Sequence, residues 1–442
     1  MALAVAIALL PSASARAHVI RGGLVPRPMA QRNGLQRAWF THVQLDPSRD
    51  RVIDLVQHDG TLFALTDRSG VHVIDAETGR TLWTAQIGRM DRPTLGIAAN
   101  DQYVAVVNGS TLYLVDRSTG RPVWEEPLGG GPGAGPALSD DRVFVPLVTG
   151  VLESYKFKPD GRFPWQYHAG GRTLVRPVTT HTSIAWPNED GISYIGSLDP
   201  LEIHSRLETR KPVANRPAYQ PPHLFFVSLD GYVYAVHESE GDLVWSYSTG
   251  DPITERPVAV DGRVYVCAES GGMFCLDAAT GQRAWWTPHM ARFIAASRTR
   301  IYALDRLGRL VILDKQTGAP LSAMETQSLS LFLTNEKTDR IYLGTTDGVL
   351  QCLHEIGQEE PLDYTPPEPA PVQPPEAAAA APGAAPDGTA PPAEAPPAQA
   401  PPALPPATPP PATPPPAEPP PAADPDNPFG EDDPFGENPF DF

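Results

Sequence analysis

The stretch Val264-Tyr265-Val266-Cys267-Ala268-Glu269-Ser270-Gly271-Gly272-Met273-Phe274-Cys275-Leu276-Asp277-Ala278-Ala279-Thr280-Gly281-Gln282-Arg283-Ala284-Trp285 decides the fold. Two short apolar runs flank Ser270-Gly271-Gly272, the pattern of strand, hairpin turn and strand. Asp277 to Gly281 then has the composition of a tight turn, in which Asp folds onto the backbone just ahead of it and Gly supplies a positive φ. A further strand carrying Trp285 follows. The same frame, Gly and then Trp four residues on, recurs as Gly79 with Trp83, Gly120 with Trp124, Gly161 with Trp165 and Gly241 with Trp245. It returns at Gly318 with Ser322 in the Trp place. Successive glycines are 41, 41, 80, 40 and 37 residues apart, so the long step holds two units. One of these, near Arg206, has lost both its Gly and its Trp.

Four short antiparallel strands in about 40 residues make one propeller blade. Seven units end near Trp83, Trp124, Trp165, Arg206, Trp245, Trp285 and Ser322, and an eighth runs from Ser330 to Leu353 without a final strand. At the other end of the chain, Gln36-Arg37-Ala38-Trp39-Phe40-Thr41 matches Gln282-Arg283-Ala284-Trp285-Trp286-Thr287. The expected fold is therefore all-β, an eight-bladed propeller over residues 34–357 whose ring is closed by the N-terminal strand. Closure pairs edges that would otherwise invite aggregation. Trp39, Trp83, Trp124, Trp165, Trp245 and Trp285 sit at one fixed distance from a turn, which assigns them to packing between blades.

The spacing Asp, two residues, Thr-Gly, three residues, Trp resembles the repeat of pyrroloquinoline-quinone dehydrogenases and of BamB-type outer-membrane assembly propellers, over most of residues 34–355. That family usually places Ala two residues before the Asp. Here Val73, Leu114, Cys275 and Ile312 stand there, while Ala235 keeps the pattern beside His237. Catalytic members carry a vicinal cysteine pair and long insertions between blades, and this chain has neither. The resemblance therefore implies a binding or assembly role, with no cofactor expected and pyrroloquinoline quinone as the alternative.

Of 442 residues, the last basic one is Arg340, and 17 of the 52 acids lie beyond it, leaving 35 acids against 34 bases in the body. A nearly neutral body gives no basic footprint for nucleic acid. Residues 1–17 read as an export signal, an apolar Met1–Leu10 followed by Ala13-Ser14-Ala15 and Ala15-Arg16-Ala17, with a short linker over 18–33. No stretch is long and apolar enough for a transmembrane span. The expected location is the periplasm or cell envelope, as a monomer or within a complex. Three cysteines are too few for a disulfide framework or a four-ligand zinc site. They read as buried thiols, with a cross-strand disulfide between Cys267 and Cys275 as the alternative, and no metal site is expected.

The sequence has no Gly-rich phosphate loop, Ser nucleophile elbow, His-Glu-x-x-His zinc pair or regular calcium loop, and no residue reads as catalytic. One constellation stands out. Arg92-Pro93, Arg176-Pro177, Arg216-Pro217 and Arg256-Pro257 precede the first strands of their units, and Arg292-Phe293 holds a similar place. First strands line the channel, so these guanidinium groups are candidates to converge on an anion through charge-assisted hydrogen bonds. The alternative is pairing with Asp or Glu of other blades.

From 358 to 425 the chain is rich in Pro and Ala and lacks the apolar surface to fold. It reads as a disordered polyproline spacer of about 150–200 Å reach. The acidic tip, 426–442, presents Phe429, Phe435, Phe440 and Phe442, the pattern of a multivalent linear motif. The reading is a non-catalytic envelope scaffold whose tail reaches a second protein partner. The alternative is an oxidoreductase-type propeller holding a quinone or other anion on the channel arginines.

Overall fold

The computed structural model describes residues 23–158 and 163–365. The readings of the export signal and of the tail with its Phe429, Phe435, Phe440 and Phe442 lie outside the described residues. Eight four-stranded antiparallel sheets follow one another around a ring. Blade 1 spans residues 52–86, blade 2 94–127, blade 3 137–168, blade 4 178–208, blade 5 218–248, blade 6 258–287 and blade 7 290–324. Blade 8 takes three strands from residues 331–355 and its outer strand, β1, from Leu35–His42, with Trp39 opposite Cys352. The N-terminal strand closes the ring as expected. Among the described residues no helix is long and apolar enough to cross a membrane.

The turn chemistry read from sequence positions one indole after another. In blade 1 the Asp75 carboxylate accepts from the Thr78 backbone N–H at 2.8 Å and the Thr78 hydroxyl at 2.7 Å, and the Gly79 N–H reaches the Asp75 carbonyl at 2.9 Å. Gly79 sits at φ +71°, where a side chain is strained. A Cβ there would also lie 2.6 Å from the ring of Trp39, so only glycine lets the indole lie flat on the turn. The indole N–H then donates to the Ala76 carbonyl at 2.9 Å. Trp83 repeats this contact on Arg117 at 2.7 Å, Trp124 on Phe157 at 2.9 Å, Trp245 on Ala278 at 3.1 Å and Trp285 on Lys315 at 2.9 Å. A register shift in the outer strand just before the Trp aims the ring at the next blade, as at Val73 and Ile74 opposite Trp83 and Thr81.

Three junctions lack the latch. The third and fourth strands of blade 4 meet at a tight turn, Leu198 opposite Leu201, with no Asp-x-x-Thr-Gly to receive Trp165. Trp165 instead stacks on Tyr167, whose edge meets Trp186 and Tyr194. In blade 4 the residue in the Trp place is Ser205, opposite Ile195, one position before the Arg206 read from spacing. Its hydroxyl donates to Gly241 of blade 5 at 2.9 Å, and Glu238 of blade 5 accepts from Thr180 of blade 4 at 2.9 Å. Ser322 of blade 7 is the third exception, opposite Ile312. There α1, Arg27–Arg32, and Val25 pack with Ile294, Ile312 and Met324.

The cysteines are buried thiols as read, and the alternative of a cross-strand disulfide is not borne out. Cys267 lies opposite Met273 and Cys275 opposite Tyr265, so the two thiols are not cross-strand partners. All three cysteines are free and buried. The propeller's own contacts also continue past residue 357, up to the last described residues. Arg340, 1% exposed, donates to Glu77 of blade 1 at 3.0 Å and to the Gln358 carbonyl at 3.0 Å. Residues 358–365 form a strap over blade 8, with Asp363 bridged to Thr338 and the Tyr364 N–H on the Lys337 carbonyl at 2.7 Å.

Replacing Trp285 by Ala is expected to cost about 3–5 kcal/mol, because it removes both a buried ring and the donor of the Lys315 carbonyl. Urea unfolding of the two chains measures the difference. A loss below about 1 kcal/mol would contradict the latch.

Candidate functional site

The strand register defines a ring of equivalent positions around the channel. On the inner strands, Val56, Ala98, Ala137, Val178, Ala218 and Val258 pair with Phe63, Ala105, Phe144, Ala185, Phe225 and Tyr265. Two residues before each stand Asp54, Gly96, Gly135, Arg176, Arg216 and Arg256. Blades 4 to 6 thus contribute arginine where blades 1 to 3 contribute Asp, Gly and Gly.

Arg176 crosses the channel. Its Nη2 donates to Asp54 Oδ2 of blade 1 at 2.7 Å, and that oxygen also accepts from the Ile97 N–H at 3.3 Å. The two glycines clear its path. A Cβ on Gly96 would collide with Arg176 Nη2, and one on Gly135 would lie 2.8 Å from it. On the other side, Arg216 Nη2 donates to Glu336 Oε1 of blade 8 at 3.2 Å, and Arg256 Nη2 donates to the second oxygen of the same carboxylate. Blades 4 and 1, 5 and 8, and 6 and 8 are tied by charge across the opening rather than along the ring.

These groups surround a cavity of about 320 Å³, lined also by Gln57, Leu174, Asn215 and Lys337. Withdrawal from solvent pushes the Glu336 carboxyl up, but Arg256 and Arg216 outweigh it and hold the acid at about 2. Arg216 is driven down to about 10, first by the neighbouring Arg256 charge and then by desolvation. The cavity therefore holds its cations under mutual repulsion, incompletely relieved by one shared carboxylate.

Of the five arginines read from sequence, Arg176, Arg216 and Arg256 converge here. Arg292 does not: its Nε and Nη2 pair with Glu255 at 3.0 and 3.3 Å. Arg92 is exposed and lies over Gly109, outside the cavity. The blade 2 residue equivalent to Arg176 is Gly96, four positions later, and in blade 3 the matching dipeptide is Gly135-Pro136. Sequence reading missed Asp54 and Glu336, because single acids outside the repeated frame carry no spacing signal.

A family model described as outer membrane protein assembly factor BamB matches residues 67–198 and 192–329. The chain belongs to this family. No curated protein matches it. Among solved structures, BamB from Moraxella catarrhalis is similar with a TM-score of 0.58 at 16% identity, covering 72% of this chain and 97% of that one. The computationally designed protein Ika8 gives 0.56 at 14% identity, over 69% of this chain and 96% of its own. The C-terminal WD40 domain of Sif2 gives 0.53 at 10%, over 73% and 99%. At these identities the similarity shows the fold alone, and membership rests on the family match.

Glu336 titrates well below the 4.5 of an ordinary glutamate, so its contribution to stability is fully present above about pH 4.5 and is lost as pH falls toward 2. The Glu336→Gln chain is expected to be less stable at pH 7, by on the order of 2 kcal/mol, since two arginines then face each other without a counter-charge. Its loss of stability between pH 4.5 and 2 should also be shallower. Urea midpoints across pH test both, and parallel curves for the two chains would contradict the assignment.

Proposed function

We propose that this chain is a non-catalytic protein-binding scaffold of the cell envelope. The propeller presents one loop face to a first partner, and the C-terminal tail reaches a second. The carrying observation is a set of large apolar side chains exposed on one loop face, in addition to those exposed along the outer strands such as Leu82, Val123 and Leu243. In an up-and-down four-stranded blade, the segments entering the inner strand and the turns joining the second and third strands lie at the same edge. Met90 is 59% exposed, Leu174 42% and Leu307 64%, all in such segments, and Ile53, Leu95 and Val148 are exposed there too. A set of exposed apolar groups beside polar ones, such as the Arg89–Asp91 and Arg172–Glu189 pairs, has the composition of a binding surface.

Family membership supports the location, because the family is described as an outer-membrane assembly factor. The oxidoreductase reading would use the same channel arginines, of which Arg176 is closed on Asp54 while Arg216 and Arg256 share Glu336.

Cross-linking in envelope extract would compare three chains: full length, a Met90→Glu/Leu174→Glu double variant, and a chain ending at residue 365. The variant is expected to lose one partner and the shortened chain a different one, with the strand signal of all three unchanged by circular dichroism. Identical partners from all three chains would overturn the reading.

A further inference from the structure

The channel cavity carries more positive charge than its own acids neutralise. Arg176, Arg216, Arg256 and Lys337 line it against Asp54 and Glu336, four cations to two carboxylates. Arg176 and Asp54 form a closed pair at 2.7 Å. The excess therefore falls on Arg216, Arg256 and Lys337, with Glu336 as the other lining acid.

Hydrogen bonding tells the same story. Each guanidinium offers five N–H donors. Among the described residues, Arg216 and Arg256 each give one nitrogen, Nη2, to Glu336. Their Nε atoms are buried with no hydrogen-bond partner. Holding two half-satisfied guanidinium groups side by side costs energy that a protein normally avoids by supplying a second acid. Here the repeat supplies none: the ring positions of blades 2 and 3 that could have carried one are Gly96 and Gly135. These glycines leave room for the Arg176 side chain and add no charge.

We infer that this cavity is a binding site for a small oxyanion carrying two or more negative charges, held by Arg216 and Arg256 with Lys337 beside them. A carboxylate or phosphate edge matches the guanidinium fork. The cavity volume of about 320 Å³ falls at the small end of the roughly 300–1,000 Å³ range for small-molecule sites. Bound there, the anion would act as a second Glu336, tying blades 5 and 6 to blade 8 across the channel. The site requires no chemistry from the protein and is independent of which partner the loop face takes.

The test is a thermal-shift and calorimetric titration of the full chain at neutral pH and constant ionic strength, with citrate, inorganic phosphate and chloride as separate probes. Citrate or phosphate is expected to raise the melting temperature by several degrees with one site per chain, and chloride to leave it unchanged. The probe that binds more tightly identifies a carboxylate or a phosphate source. Arg256→Gln should weaken binding about tenfold or more, the loss of one charge-assisted pair. Glu336→Gln should act in the opposite direction and tighten it, because the competing carboxylate is gone. Neither multivalent anion binding the wild type would overturn the inference. So would binding that Arg256→Gln and Glu336→Gln both leave unchanged, which would place the anion elsewhere on the surface.

Discussion

The molecule depends on one contact made repeatedly: an indole from one blade laid flat on a glycine turn of the next, with its N–H on a carbonyl of that turn. The full contact appears at Trp39, Trp83, Trp245 and Trp285, and Trp124 makes the same N–H bond, to Phe157. A buried indole of roughly 150–250 Å² contributes on the order of 4–6 kcal/mol by area alone. The directional hydrogen bond adds what burial lacks, a fixed distance and angle between neighbouring sheets. Because Trp39 comes from the N-terminal strand and docks on blade 1, the latch is also what turns an open stack into a ring.

The junctions without a latch are filled by different physics in each case. Between blades 3 and 4 an aromatic cluster of Trp165, Tyr167, Trp186 and Tyr194 replaces it, with Arg206 placed over the Tyr194 ring. Between blades 4 and 5 the substitute is polar, Ser205 on Gly241 together with Glu238 accepting from Thr180 and Tyr219. At blades 7 and 8 it is the N-terminal helix and Val25. Blade 4 is flanked by two such junctions, and Arg176 at its entrance is the side chain that ties it across the channel to Asp54 of blade 1. One channel ion pair, Arg176–Asp54, thus starts from the blade whose two junctions lack the standard contact.

What could be read in the sequence follows from this. Close packing of Trp on a turn permits only Gly at one position and Asp or Thr at others, so that frame survives as a visible repeat, including the displaced Trp39. Features set by register were less legible. The turn of blade 6 is centred on Ser270, with Ala268 opposite Gly272. Centring it one residue later moves every pairing by two, which is how the alternative reading set Cys267 opposite Cys275. Arg92-Pro93 looked like Arg176-Pro177 by dipeptide, yet the blade 2 inner strand begins its equivalent ring position at Gly96. Glu336 and Asp54 are single acids with no repeat behind them, and only the closed ring brings them to the arginines. The strap of residues 358–365 was hidden by its resemblance in composition to the proline-rich stretch after it.

The most direct test of the latch is hydrogen exchange of the tryptophan indole N–H groups in the native protein, followed by NMR. The account predicts that the indoles of Trp39, Trp83, Trp124, Trp245 and Trp285 exchange slowly and with similar protection, because each opens only when the ring does. Trp165, which has no receiving turn, should exchange faster. Fast, unequal exchange among the five latched indoles, or Trp165 protected as well as they are, would contradict the claim that this contact holds the ring.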